Sequence, residues 1–345
     1  MGGGIFLYAS EAGGNRVSVF SLDPLSGALA RIQEAELDGP VMPLALSKDR
    51  TQLYASLREE PWRIARFAID GATGTLTLLD VAEAAHSTVY LTTERSGCWL
   101  IGACNPPRSQ RRTGILSLNR LAPDGAVTQP PAILRTSAKL HCAIPDPTNR
   151  FVLATSCDSD LILRYRLDTT RGRLSADGLA PVMTLPKAGP RHLQFHPNGR
   201  FLYAVNEYDG CVVAWEFDTA DGSLHEIQIA SAVPPGFVHP NVEAADLAFT
   251  PDGRWLFASV RECNTIAVFG ADPGTGRLAL AGHHETARTP RSLAVDPGGR
   301  FLYAAGQLSA CIAAFRIDPE TGALDRMADT ATGEGPNWLE IVALP

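Results

Sequence analysis

Apolar residues recur at every second position in short runs along most of this chain. In GPRHLQFHPNGRFLYAVNEYDG, from Gly189 to Gly210, Leu193 and Phe195 alternate with polar neighbours. Phe201, Tyr203 and Val205 do so again after a turn-rich link, His196 to Arg200. This spacing predicts two half-buried strands joined as a hairpin. The start of the first strand then lies beside the end of the second. Arg191, His192 and Glu207 are therefore expected together at one end of the pair. Helical periodicity is almost absent.

The hairpin repeats. HPNGRFLYAVNE, TPDGRWLFASVR and DPGGRFLYAAGQ are plain copies, SKDRTQLYASLR and DPTNRFVLATSC are looser, TERSGCWLIGACN is weaker, and IFLYASEA is a truncated copy. With Tyr203 as reference, the equivalents are Tyr8, Tyr54, Ile101, Leu153, Phe257 and Tyr303, which gives seven units spaced 46–54 residues apart. That is the range of propeller repeats. A turn of the type Asp-x-x-x-Gly-x-Leu recurs with them, in DPLSGAL, DGATGTL, DTTRGRL, DTADGSL, DPGTGRL and DPETGAL, with APDGAV as the third unit's variant. Each unit thus reads as four short strands. Such units arranged radially predict an all-β, seven-bladed β-propeller with one domain over residues 1–345. The first unit lacks its first strand, and the terminal GPNWLEIV aligns with GPRHLQFH. The C-terminal strand is expected to join the first blade and close the ring, leaving no open sheet edge.

Aligned units put Met42, Val89, His141, Arg191, Ala245, Arg291 and Asn337 at the start of the first strands. Ala12, Arg58, Asn105, Cys157, Glu207, Arg261 and Gln307 stand at the ends of the second strands. All these positions share one face near the axis. They predict a cup at the channel mouth holding Arg58, His141, Arg191, Glu207, Arg261, Arg291, Gln307 and Asn337. Two longer connections fall on the same face: NPPRSQRR, with Arg108, Arg111 and Arg112, and SAVPPGFVHPNVE, with His239. His192 alternates away from Arg191 and is expected as a satisfied buried histidine. His86, His225, His283 and His284 hold no ring position and are expected at the surface. Cys157 occupies a ring position without a neighbouring base in sequence.

Composition sharpens this picture. The chain of 345 residues is 45% hydrophobic and 19% charged, with a formal net charge of −7. That balance excludes general attraction to nucleic acid or an anionic membrane. A cup of four arginines in such a chain is a local cationic exception, suited to a carboxylate or phosphate. The seven cysteines lack C-x-x-C spacing, which argues against a zinc site or disulfide framework and fits a reducing cytoplasm.

GPRHLQFHPNGRFLYAVNE, AADLAFTPDGRWLFASVR, PRSLAVDPGGRFLYAAGQ and GEGPNWLEIV resemble the seven-bladed β-propeller lactonase family. The likeness is greatest to bacterial propeller-type 6-phosphogluconolactonases and more distant to fungal 3-carboxy-cis,cis-muconate lactonizing enzyme. It implies an enzyme without metal or cofactor, acting on a small anionic lactone or acid as a monomer or weak homo-oligomer. By motif it implies a catalytic set of His141, Arg191, Glu207 and Arg261; the aligned ring and its loop put Arg58, Asn105, Arg108, Arg291, Gln307 and Asn337 around the substrate. Departures are Val89, where relatives often carry histidine, Leu161, where arginine is common, and the NPPRSQRR insertion. The hydrolase reading is set against a cycloisomerase and a non-enzymatic docking platform. In the hydrolase either Glu207 or His141 can serve as base, while Arg191 and Arg261 face the developing oxyanion.

Overall fold

The computed structural model describes residues 3–105 and 113–345. Among these the strands form seven antiparallel sheets, and the only helical segment is one 3₁₀ turn, Cys157–Ser159. None of the helices described is long and apolar enough to cross a membrane. The innermost strands are Val41–Leu46, Ser87–Thr93, Cys142–Pro145, Pro190–Phe195, Ala244–Phe249, Pro290–Val295 and Pro336–Ala343. They touch one another in ring order. The last pairs with Ile5–Glu11, from Ile5 opposite Ala343 to Glu11 opposite Pro336. The first blade is closed by the C-terminal strand, as the truncated repeat predicts.

The two repeated sequence marks are halves of one joint. Hydroxyls of Tyr8, Tyr54, Tyr203 and Tyr303 donate to the carbonyls of Gly74, Gly125, Gly276 and Gly27 at 2.8–2.9 Å. Each glycine lies in the turn of the next blade around the ring. Gly276 has φ +72°, and a Cβ there would meet Phe201 at 2.5 Å. Both the left-handed backbone and the close approach of the aromatic ring demand glycine. The leading aspartate fixes the turn, Asp272 accepting from the N–H groups of Gly274 and Thr275 at 2.8 and 3.0 Å. Apolar side chains fill the space between neighbouring blades, as where Phe201, Tyr203 and Val205 meet Leu256, Ala258 and Phe269. The core is therefore a set of inter-blade wedges, and it holds the inner strands rigidly around the axis.

Candidate active site

The strand ends meet at the cup through backbone bonds. Glu207 N–H donates to Gly189 O at 2.7 Å, Arg261 N–H to Glu243 O at 3.2 Å, Gln307 N–H to Thr289 O at 3.0 Å and Arg58 N–H to Pro40 O at 3.1 Å. Gly189, Glu243 and Thr289 all have left-handed backbones, with φ of 68°, 54° and 57°. In these blades the turn delivers the chain into the inner strand two residues before the ring position.

At that position the ladder slips. In six inner strands the register shifts at or beside Met42, Val89, Arg191, Ala245, Arg291 and Asn337. In the remaining one, His141 N–H donates to Thr155 O at 2.9 Å while Cys142 also faces Thr155. A β-bulge adds a residue and re-aims the side chains around it. Consequently His192 is buried, as expected, but it does not turn away from Arg191. Its Nε2 lies 3.2 Å from Arg191 Nη1. The residues after the ring positions form a second tier on the axis. Tyr90, His192 and Trp338 pack ring to ring, with centroids 5.1–5.7 Å apart, and His141 stands 5.3 Å from His192. They floor the cup. Below them a cavity of about 250 Å³ is lined by Gln194, Asp246, Ser292 and Glu340, among others. Burial pushes the Glu340 carboxyl up to about 7.

Glu207 is the hub of the cup. Its Oε1 meets Arg261 Nη2 at 2.7 Å and its Oε2 meets Arg191 Nε at 3.3 Å. Burial raises its pKa, but the two guanidiniums outweigh that and hold it below the usual carboxylate range. Arg191 is 2% exposed and Glu207 20%, so the pair is set deep with one side open. Arg191 Nη1 also donates to Ala245 O. Arg261 is further held by Glu243, through its carbonyl at 2.8 Å and its carboxylate at 3.4 Å. His141 has a buried Nδ1 with no partner among the described residues. Burial, then Arg191, His192, Arg291 and Arg261, keep its imidazole well below the ordinary value, hence neutral at pH 7.

Two arginines make no ion pair among the described residues, Glu207 reaching Arg291 only at longer range. Arg291 makes no hydrogen bond or ion pair among the described residues; burial, Arg191 and Arg261 push its pKa down to about 9. Among the described residues the Arg58 side chain hydrogen-bonds only Ser87 Oγ at 3.1 Å and Met42 Sδ at 3.4 Å. The side-chain amide of Gln307 is likewise unpartnered among the described residues.

Other expected site residues are placed differently. Asn337 is 2% exposed, and its amide bonds Ser10, Val41 and Gly335, so it faces the closure seam rather than the cup. Asn105 accepts from Leu140 N–H at 2.9 Å. Arg108, with Arg111 and Arg112, lies outside the described residues. Cys157 is buried, its Sγ 3.1 Å from Pro190 O and 3.7 Å from Glu207 Oε2, and burial raises its thiol pKa far above normal. His239 holds Asn241 O at 2.5 Å on the outer loop. Sequence reasoning missed Glu243, Asp246 and Trp338, and it expected His192 buried but turned away from Arg191. The signal was present in the column after the ring positions: Tyr90, Cys142, His192, Asp246, Ser292 and Trp338 are too polar and aromatic for the interior of a blade.

The family described as lactonase, 7-bladed beta-propeller, matches residues 4–341. A 6-phosphogluconolactonase of Pectobacterium carotovorum is 34% identical over 343 residues, covering 98% of each chain. One from Serratia proteamaculans is 31% identical over 337 residues, again covering 98% of each. The periplasmic gluconolactonase of Pseudomonas aeruginosa superposes with a TM-score of 0.90 over 99% of both chains at 24% identity, a likeness of fold alone.

Proposed function

The chain belongs to the seven-bladed β-propeller lactonase family and is a lactonase, and from that premise we propose that it hydrolyses a phosphorylated sugar lactone such as 6-phosphogluconolactone in the cup around Glu207. One observation carries the substrate class: Arg58 and Arg291 face the cup and neither forms an ion pair with a carboxylate among the described residues, Glu207 acting on Arg291 only at longer range. Two guanidiniums outside any direct ion pair match the double charge of a phosphate monoester, and both can bond its oxygens. Gln307 adds a neutral amide beside them.

The reaction divides between the remaining residues. His141 is neutral and takes a proton from a water as the water's oxygen bonds the lactone carbonyl carbon. Arg191, whose Nε is ion-paired with Glu207 and whose Nη1 donates to Ala245 O, offers Nη2 to the oxyanion, and Arg261 adds positive charge beside it. The tetrahedral intermediate then collapses. The carbon bond to the ring oxygen breaks, that oxygen recovers the proton from His141, and the open hydroxy acid is released. Glu207 keeps Arg191 and Arg261 together rather than acting as base, because each of its oxygens already faces a guanidinium. Bound phosphate also strengthens His141, since the cations that depress its pKa gain a counter-charge. The scheme needs no metal. All seven cysteines are free, which suits the cytoplasm.

The test is turnover of gluconolactone, its 6-phosphate and a muconate-type acid by chelator-treated enzyme. The phosphorylated lactone should be opened with the highest kcat/KM. Preference for unphosphorylated lactone would overturn the phosphate reading, and lactone formation from the muconate-type acid would make the chain a cycloisomerase.

A further inference from the structure

Beneath the cup, a chain of hydrogen bonds crosses three blades. Asp246, on the inner strand Ala244–Phe249, accepts from Leu247 N–H through Oδ1 at 2.9 Å. Its Oδ2 accepts from Leu293 N–H, on the inner strand Pro290–Val295, at 2.8 Å. Asp246 Oδ1 is also 2.7 Å from His192 Nδ1, on Pro190–Phe195. A carboxylate already serving two backbone donors acts here as acceptor, so the hydrogen of the imidazole sits on Nδ1. The lone pair is left on Nε2, aimed at Arg191 Nη1 at 3.2 Å. Burial and Arg191 push the imidazole pKa down to about 4, which keeps that lone pair available at neutral pH.

We infer that the Asp246–His192 pair is a positioning device for Arg191, fixing its guanidinium by presenting an acceptor of one defined tautomer. An arginine side chain has several rotatable bonds, and Glu207 alone touches only one edge of it. His192 and Ala245 O hold Nη1, and the two contacts together orient Nη2 toward the cup. A protonated or oppositely tautomeric His192 presents N–H to N–H and releases that edge. The role parallels the general use of a carboxylate to set a histidine's tautomer, here with an arginine as the group positioned. It rests on the lactonase reading through the role of Arg191.

The test uses full-length enzyme carrying His192→Leu, His192→Gln or Arg191→Ala. Leucine fills the space without an acceptor, while glutamine carries an amide oxygen to about the place of Nε2. His192→Leu should lose about 10–100-fold in kcat/KM, spread over kcat and KM, as expected when a buried charged donor loses its acceptor. His192→Gln should stay within about 5-fold of the wild type. Should leucine block folding, His192→Asn retains a donor to Asp246, loses the acceptor for Arg191 and should show the same loss. A folded leucine or asparagine variant with wild-type kcat and KM overturns the inference, as does a glutamine variant as impaired as leucine. Wild-type kcat/KM in Arg191→Ala overturns the site reading itself, and the inference falls with it. An impaired Arg191→Ala beside an unimpaired His192→Leu removes the positioning role alone.

Discussion

A glutamate with an arginine on each carboxylate oxygen is a poor base and a good strut. The contrast with His141 yields a kinetic distinction. His141→Asn should lower kcat by about 10²–10⁴-fold with little change in KM, the usual worth of acid–base catalysis. Glu207→Gln should raise KM and lower kcat together, because Arg191 and Arg261 lose the charge that spaces them. Full pH profiles of folded variants are the measurement; wild-type kcat in His141→Asn would return the base to Glu207. Titration makes a second claim at this scale. The folded pKa of His192, about 4, lies below its ordinary 6.5. As pH falls below 6.5 the unfolded chain takes up a proton that the folded chain refuses. Stability from this group is complete above that value and is lost as pH drops toward 4. In His192→Gln the loss is absent, so between pH 6 and 4.5 the wild type should weaken faster than the variant by about 1 kcal/mol per pH unit. Urea titrations across that range measure it, and parallel pH dependences would contradict it.

At the scale of elements, alternation explains both what the sequence disclosed and what it hid. Period two located the strands, and the shared count of FLYA-type runs and Asp-x-x-x-Gly-x-Leu turns located the blades. Alignment of blades then brought His141, Arg191, Glu207 and Arg261 to one face with no structure in hand. The same alternation misdirected His192, because it assumes an unbroken ladder and the bulge at Arg191 interrupts it. Columns of the alignment carry the trace of that break. Leu44, Leu91, Leu193, Leu247, Leu293 and Leu339 are buried two places after the ring position, where strict alternation from Arg191 would place cup residues. Glu243 was hidden differently: its place in a left-handed turn, aligned with Gly189, gives no hint that its side chain reaches Arg261. The inter-blade joint can be tested directly. Tyr203→Phe removes a buried donor from Gly276 O and should cost about 1–2 kcal/mol. Gly276→Ala meets both Phe201 and an unfavourable φ, so it should cost more than Tyr203→Phe. Chemical denaturation ranks the two, and a harmless Gly276→Ala would show that blade contacts give way more readily than their packing implies.

For the whole molecule, the cup exists only because the ring is shut. Arg191, Arg261, Arg291, Arg58 and His141 come from five blades, and no sheet alone brings two of the four arginines together. Closure depends on Pro336–Ala343, which supplies the inner strand of the first blade and touches the inner strands on both sides. Asn337 clasps this seam, its amide bonding Val41 O and Gly335 O at 3.1 Å each. Removing residues 336–345 strips the partner from Ile5–Glu11 and opens the wedge that contains Val342 and Leu344. The whole ring should lose its cooperative unfolding transition, since an exposed edge and an opened core act together. Asn337→Ala is the milder form of the same injury. It should lower stability by about 1–3 kcal/mol through the carbonyls left unpaired, while kcat and KM of the folded protein stay near wild type because the amide faces the seam and not the substrate. Thermal melts paired with kinetics separate the two effects. A truncated chain that melts like the full one would refute closure by the last strand, and an Asn337→Ala protein of normal stability but raised KM would put that amide back in the cup.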